Sequence, residues 1–383
     1  VTADTAAAGP TNRRRAFPSN LDMRQLLMAL LVIVLAGCGA GAGFQLGPNG
    51  LQTHADADVP ELNAGRVSFS TTANAGANAA LPEVLAVRQV GYRVSSDFHR
   101  NGKVSFMFVP MGRGRAILDA NLRVGFDVSS NVRFPISGSA KITGVRPVGN
   151  QPMQVVISMD GSGSMKRSDP SRRRVQAANR FVDVVARATP RNEFGVVEFD
   201  RGVSVRSELG GSLAATRNAI AEVDATGSTA LFDSLMRSID LLEASGKRNA
   251  RRAILVLSDG RDNSSKATLQ QVVKRARRSK VTIYAVSLGG ALDQPNLGFV
   301  GPLQTLTAET RGAFVHVSRA EELVARFEAM AFAQTKGWME VEAQLEALGG
   351  MFLPFSTITV QLDVEAGGRK VRASPVQFVV PLR

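Results

Sequence analysis

A chain of 383 residues with 44% hydrophobic side chains is long enough for two or more packed domains and too apolar for disorder to be the default. One cysteine excludes an internal disulfide. Three histidines far apart, His54, His99 and His316, with no His-Glu-x-x-His, argue against a zinc hydrolase. The net charge of +13 is carried mainly by arginine and is only a soft pointer to an anionic partner.

Residues 1–22 are polar and contain Arg13-Arg14-Arg15; Met23 offers an alternative start. After Met23-Arg24-Gln25 the stretch Leu26 to Ala36 is almost wholly apolar and ends in Gly37-Cys38-Gly39. It is far short of the roughly 20 residues that span a bilayer as a helix. A short basic start, an apolar core and small residues read as a secretory signal over 1–37. Leu35-Ala36-Gly37-Cys38 resembles the lipobox of bacterial lipoproteins. That resemblance implies cleavage before Cys38, lipid on Cys38, and a place in the bacterial cell envelope. The Gly at position 39, where some bacteria use Asp for inner-membrane retention, favours the outer membrane in a cell that has one. Residues 38–65, rich in Gly, Ala, Asp and Pro, read as lipidated Cys and flexible tether.

Residues 66–150 alternate apolar and polar side chains in short runs: Arg66 to Ser70, Val84 to Val90, Lys103 to Val109, Leu122 to Val128 and Ala140 to Val145. Gly, Pro, Asn and Ser separate them. The pattern predicts half-buried antiparallel strands. Residues 335–383 return to it, in Trp338 to Leu345, Thr357 to Val364 and Pro375 to Leu382. Two or three strands make a poor domain alone, so the two flanks are expected to build one antiparallel β-sandwich. The region 151–334 is then an insertion whose ends lie close together.

That central region alternates apolar strands with amphipathic helices, which predicts an α/β fold, a doubly wound mostly parallel sheet with helices on both faces. Helices are expected over Arg172 to Ala188, with Val175, Ala178, Phe181, Val182 and Val185 on one face, and over Leu213 to Val223, Ala230 to Ala244, Leu269 to Ser279, Leu303 to Thr310 and Glu321 to Met330. Strands are expected at Glu193 to Asp200, Val203 to Leu209, Arg252 to Ser258, Val281 to Leu288 and Ala313 to Val317.

Gln154 to Met159 is an apolar run broken by Asp160-Gly161-Ser162-Gly163-Ser164. The turn offers one carboxylate and two hydroxyls at alternate positions, with glycines that let them converge. Hard cations take such oxygens. Downstream, Thr229 stands just before a helix and Asp259 ends a strand. In an open α/β sheet, ligands bind beyond the carboxyl ends of the strands, which places Asp160 and Asp259 on one rim. Asp-x-Ser-x-Ser with a distant Thr and a distant Asp resembles the metal-ion-dependent adhesion site of the von Willebrand factor A (VWA) family, whose Rossmann-like pattern the whole central region matches. The resemblance implies a Mg²⁺ or Mn²⁺ site made by Asp160, Ser162, Ser164, Thr229 and Asp259, completed by an acidic residue of a protein partner. Asp262 and Asn263 are expected to shape its rim, as possible second-layer residues. Asp233, in the first turn of a helix, is read as favouring the helix dipole. The alternative for the motif itself is that Asp160 and Ser162 cap the following helix or turn.

The basic residues Arg172, Arg173, Arg174, Lys274, Arg275, Arg277, Arg278 and Lys280 read first as solvated helix faces and second as contacts for an anionic envelope polymer or lipid headgroups. No motif or aromatic platform supports nucleic-acid binding. No nucleophile–base pair, P-loop or dinucleotide fingerprint supports an enzyme. The expected function is therefore metal-dependent protein–protein or cell-surface interaction, in adhesion or in envelope or appendage assembly. Two alternatives stay open: a non-catalytic recruiting or regulatory subunit of an enzyme or transport complex, and a structural envelope protein with a vestigial ion site.

Overall fold

The computed structural model describes residues 84–347 and 352–381, apart from 114, 119–121, 132–135, 147, 150, 248 and 290–299, together with the backbone of 45–47, 50–52 and 66–73. Cys38 and the leader reading of 1–37 lie outside the described residues. The chain divides into two compact units, Val1–Pro60 and Glu61–Arg383. In the first, β1 (Gln45–Gly47) pairs antiparallel with β2 (Gly50–Gln52).

The second unit begins with β3 (Arg66–Ala73), β4 (Ala86–Val94), α1 (Phe98–Asn101), β5 (Lys103–Gly112), β6 (Arg115–Ala116), β7 (Leu122–Ser130) and β8 (Ile136–Arg146). Then follow β9 (Met153–Asp160), α2 (Met165–Ser168), α3 (Arg173–Ala188), β10 (Glu193–Phe199), β11 (Val203–Ser207), α4 (Leu213–Ala221) and α5 (Leu231–Ala244). Next come β12 (Arg251–Ser258), α6 (Leu269–Arg278), β13 (Val281–Leu288), α7 (Val300–Glu309), β14 (Phe314–Val317) and α8 (Leu323–Lys336). The chain closes with β15 (Trp338–Ala347), β16 (Thr357–Ala366), β17 (Arg369–Arg372) and β18 (Val376–Val379).

Strands β10, β9, β12, β13 and β14 run parallel in that order, with β11 antiparallel at the edge. The central strand β9 is buried along its whole length. Its near-continuous apolar text is what a strand covered on both faces requires. On one face α3 packs Ala177, Ala178, Phe181, Val182 and Val185 against the sheet, and on the other α5 packs Leu231, Leu235, Ile239 and Leu242. Each large side chain removed from water this way contributes about 1.5–3 kcal/mol. Val175 is only half-buried, and Ala177 and Arg174 take the buried positions instead.

Both flanks build the expected antiparallel layers, but one of these layers is continuous with the central sheet. The sheet does not stop at β14: β4, β5, β15 and β8 continue it, with β6 paired on β5, making an 11-stranded sheet among the described residues. The junction is a single residue pair, Phe314 opposite Tyr92. Gly91 makes the approach possible, because its φ is +151° and a β-carbon there would meet the Phe314 carbonyl at 2.6 Å. A second antiparallel sheet, β17-β16-β7-β3 with β18 on β16, covers this extension; Phe106 packs on Phe126 and Phe98 on Phe378 between the two layers. Both flanks thus enter both layers. Trp338 lies directly opposite Arg146 in the β15–β8 pair, so the chain leaves for β9 and returns from α8 at neighbouring points. Glu340, 5% exposed, fixes this joint by ion pairs to Arg93 and Arg146, while Arg93 also donates to the carbonyls of Arg311 and Gly312 at 3.2 Å. No helix among the described residues is long and apolar enough to cross a membrane.

Candidate metal centre

The five oxygen-bearing side chains predicted to act together come from three loops beyond the carboxyl ends of β9 and β12 and at the start of α5. Asp160 is the last residue of β9 and fully buried. Its Oδ1 accepts from the Ser162 amide at 2.7 Å and its Oδ2 from the Ser258 hydroxyl at 2.5 Å. Ser162 Oγ lies 3.0 Å from Ser164 Oγ, and Ser164 Oγ donates to Asp259 Oδ1 at 2.6 Å. Ser168 Oγ donates to Asp259 Oδ2. Asp160, Ser162, Ser164 and Asp259 therefore form one chain of contacts. Thr229 joins them around Gly260: a β-carbon there would lie 3.8 Å from Thr229 Oγ1 and 3.9 Å from Ser164 Oγ. The Thr229 side chain is buried, and its hydroxyl has no partner among the described residues.

Backbone contacts hold the three loops in register. Thr226 N–H donates to the Gly161 carbonyl at 2.5 Å, and Gly163 N–H to the Gly227 carbonyl at 3.0 Å. Gly161 has no room for a side chain, since a β-carbon would meet Glu198 Oε1 at 2.8 Å and the Asp224 carbonyl at 3.0 Å. Asn263 Oδ1 accepts from the Thr229 amide at 2.7 Å, and Asp262 Oδ2 from the Phe232 amide at 2.8 Å. Both side chains fasten the Thr229 loop to the loop after β12 and point their acceptors at backbone. Asp233 accepts from the amides of Lys266 and Ala267 at 3.0 and 2.8 Å, so it braces the same loop as well as occupying the first turn of α5.

Ser258 and Ser168 were not singled out in the sequence. Each carries a faint signal: Ser258 precedes Asp259 at the end of a buried strand, and Ser168 stands four residues after Ser164, on the same helical face. Glu198 was missed for a different reason. It lies on the neighbouring strand β10 and reaches the Asp160 turn only through parallel pairing, where it accepts from the Asp224 amide at 3.1 Å and the Arg206 Nε at 2.5 Å.

The electrostatics suit a cation. Burial first, and then the adjacent Asp259 carboxylate, push the Asp160 carboxyl up to about 6, against hydrogen bonds from Ser162 and Ser258 that pull it down. Neither Asp160 nor Asp259 has an ion-pair partner among the described residues, although basic side chains are abundant. Two facing carboxylates, three hydroxyls and no nitrogen or sulfur ligand make a hard donor set that fits Mg²⁺ or Mn²⁺. Among the described residues no cluster of three or more His, Cys, Asp or Glu is present, so hydroxyls are essential to any site here.

The arginine cluster before α3 differs from a solvated face. Arg174 is 1% exposed and pairs with the equally buried Asp169 at 3.0 Å. Arg172, held at φ +51°, donates to the carbonyls of Ala221 and Val223 at 2.5 and 2.9 Å. Arg172 and Arg174 stitch the loop before α3 to the end of α4 and the loop after it, with Arg174 buried and Arg172 still exposed. In α6, Arg275 pairs with Glu243 and Asp240, and Arg277 with Glu309, while Lys274, Arg278 and Lys280 are exposed.

Residues 155–261 match the model of the von Willebrand factor type A domain. No curated protein matches the sequence. Solved structures similar to this one include a von Willebrand factor type A protein from Catenulispora acidiphila, 14% identical with a TM-score of 0.41 over 80% of this chain and 75% of that one. Another is proximal thread matrix protein 1 from the mussel byssus with a zinc-occupied MIDAS motif, 16% identical with a TM-score of 0.40 over 49% of this chain and 48% of that one. A third is the vWF domain of the type V pili tip protein Mfa5 from Porphyromonas gingivalis, 13% identical with a TM-score of 0.38 over 48% and 95%. The chain thus spans about half the length of the mussel protein. It contains a von Willebrand factor type A domain with a mixed, mostly parallel central sheet, joined by a second, antiparallel sheet.

Proposed function

We propose that this protein binds an acidic side chain of a partner protein through a divalent cation, Mg²⁺ or Mn²⁺, held by Asp160, Ser162, Ser164, Thr229 and Asp259, and that it acts by binding and not by catalysis. The observation that carries this reading is the convergence of those oxygens from three loops around the buried Asp160 carboxylate and the half-buried Asp259 carboxylate, with no basic counterpart among the described residues. A divalent cation held there would supply an electrophilic centre for the partner's carboxylate. The chain's own part is to present mostly neutral hydroxyls, which leave that centre short of negative charge, and to keep Asp160 oriented by Ser162 and Ser258. Asp262 and Asn263 hold the Thr229 loop in place.

Our reading places the protein in the bacterial envelope, anchored to a membrane by lipid on Cys38, with the outer membrane favoured. Adhesion and the assembly of envelope or appendage structures both use such an arrangement. The support is the signal-like text before Cys38.

Calorimetric titration of Mg²⁺ and Mn²⁺ into the protein, beside Asp160→Ala, tests the ion site. Saturable binding that the substitution abolishes supports it. Identical titrations for both proteins, with partner capture unaffected by EDTA, rule it out. Labelling with radioactive palmitate, lost in Cys38→Ala, tests the anchor.

A further inference from the structure

A cavity of about 460 Å³ opens directly beside the candidate metal centre. Ser164, Ser168 and Asp259 form one wall, shared with the centre. Arg167 and Arg319 line it as well, together with Glu321. The Arg167 guanidinium is exposed and has no hydrogen bond or ion pair among the described residues. Arg319 follows β14, has a side chain 77% exposed, and approaches Glu322 only at 3.9 Å. An exposed contact of that length contributes little and leaves the guanidinium available. Of the other arginines nearby, Arg174 is committed to Asp169, Arg172 to two carbonyls and Arg206 to Glu198, and the exposed Arg261 does not line this cavity.

The charge balance depends on the neighbouring centre. A divalent cation there offsets Asp160 and Asp259, and the cavity then has Arg167 and Arg319 against Glu321 alone. Two uncommitted guanidinium groups facing open space suit planar, bidentate recognition of a carboxylate.

We propose that this cavity is a second recognition subsite, in which Arg167 and Arg319 take a second acidic side chain of the partner segment whose first acidic residue reaches the metal centre. This rests on the function proposed above and specifies its partner as a segment with two acids. A space of this volume has a linear dimension of about 8 Å, the length of roughly two to three extended residues, which sets the spacing between the two acids.

The test is selection from displayed random peptides on the full chain, once with Mn²⁺ and once with EDTA. The expected result is Mn²⁺-dependent enrichment of peptides with two acidic residues at that spacing. In synthetic versions, Gln in place of the second acid weakens binding by about tenfold, and so does Arg167→Glu or Arg319→Glu in the protein. Gln at the second acid then causes no further loss in the variant proteins. Both arginines are exposed, so the variants should melt as wild type does; Arg167→Ala and Arg319→Ala, with a smaller loss, serve if a charge reversal disturbs folding. Mn²⁺-dependent peptides with one acid only, bound equally by wild type and the arginine variants, overturn the subsite and leave the metal-centre reading standing. No Mn²⁺-dependent enrichment overturns both.

Discussion

Two turns on the same rim, nine residues apart in sequence, treat a buried aspartate in opposite ways. In the turn before α3, Asp169 is 1% exposed and fully compensated: it pairs with Arg174 at 3.0 Å and accepts from the amides of Arg173 and Arg174. In the turn after β9, Asp160 is 0% exposed, has only hydroxyl and amide donors, and faces a second carboxylate. Burial is the same and the chemistry is not. A buried charge balanced from within the chain holds structure together. A buried charge left without a counterion is a place where something from outside completes the balance.

The largest effect should come from breaking the compensated pair. Asp169→Ala leaves Arg174 buried and uncompensated and should cost about 3–5 kcal/mol in urea unfolding. A cost under about 1 kcal/mol would show that the pair is not structural, and the contrast would collapse. Asp160→Asn should do the reverse. In EDTA it removes a buried, repelled charge and should raise stability by about 1–3 kcal/mol, while cation affinity measured by calorimetry falls at least about a hundredfold. A destabilised Asp160→Asn with cation affinity intact would make the two turns alike.

Ser168→Ala sharpens the picture at the next level. Ser168 holds Asp259 Oδ2 without being one of the five proposed ligands, so cation affinity should fall by about tenfold with the fold unchanged. The smallest effect lies away from the rim. Hydrogen bonds from Arg275 and Ser279 bring the Glu243 carboxyl down to about 2. Because the folded value lies below the unfolded one, this stabilisation is present above about pH 4.5 and is lost as pH falls towards 2. Glu243 is about a third exposed, so solvent screening limits Glu243→Gln to less than about 1 kcal/mol at pH 7, vanishing near pH 2 in melts of both proteins.

Much of the candidate site is legible in the sequence because its geometry is local. Asp160, Ser162 and Ser164 are fixed by one turn, and Asp259 by the end of an apolar strand; a parallel sheet then brings strand ends to one rim. Ser258 and Ser168 escaped because a serine in a strand or helix is chemically ordinary until its partner is known. Arg174 was misjudged because a run of arginines at a helix start reads as solvated, and only the placement of Asp169 beneath it makes burial tolerable.

The sequence by itself determined the order of elements, the periodicities that make β9 a buried strand and α3 an amphipathic helix, and the alternating text of both flanks. These depend on neighbours a few residues away. Only the tertiary structure decided how the flanking strands divide between two layers, and that β4 docks on β14 to make one continuous sheet. At that docking Gly91 permits the close approach, and Arg93, paired with Glu340, donates to the carbonyls of Arg311 and Gly312 just before β14. The physical reason is distance along the chain: Glu340 lies 247 residues from Arg93, and no local pattern reports which strand edge will satisfy a hydrogen-bonding row until the whole sheet is assembled.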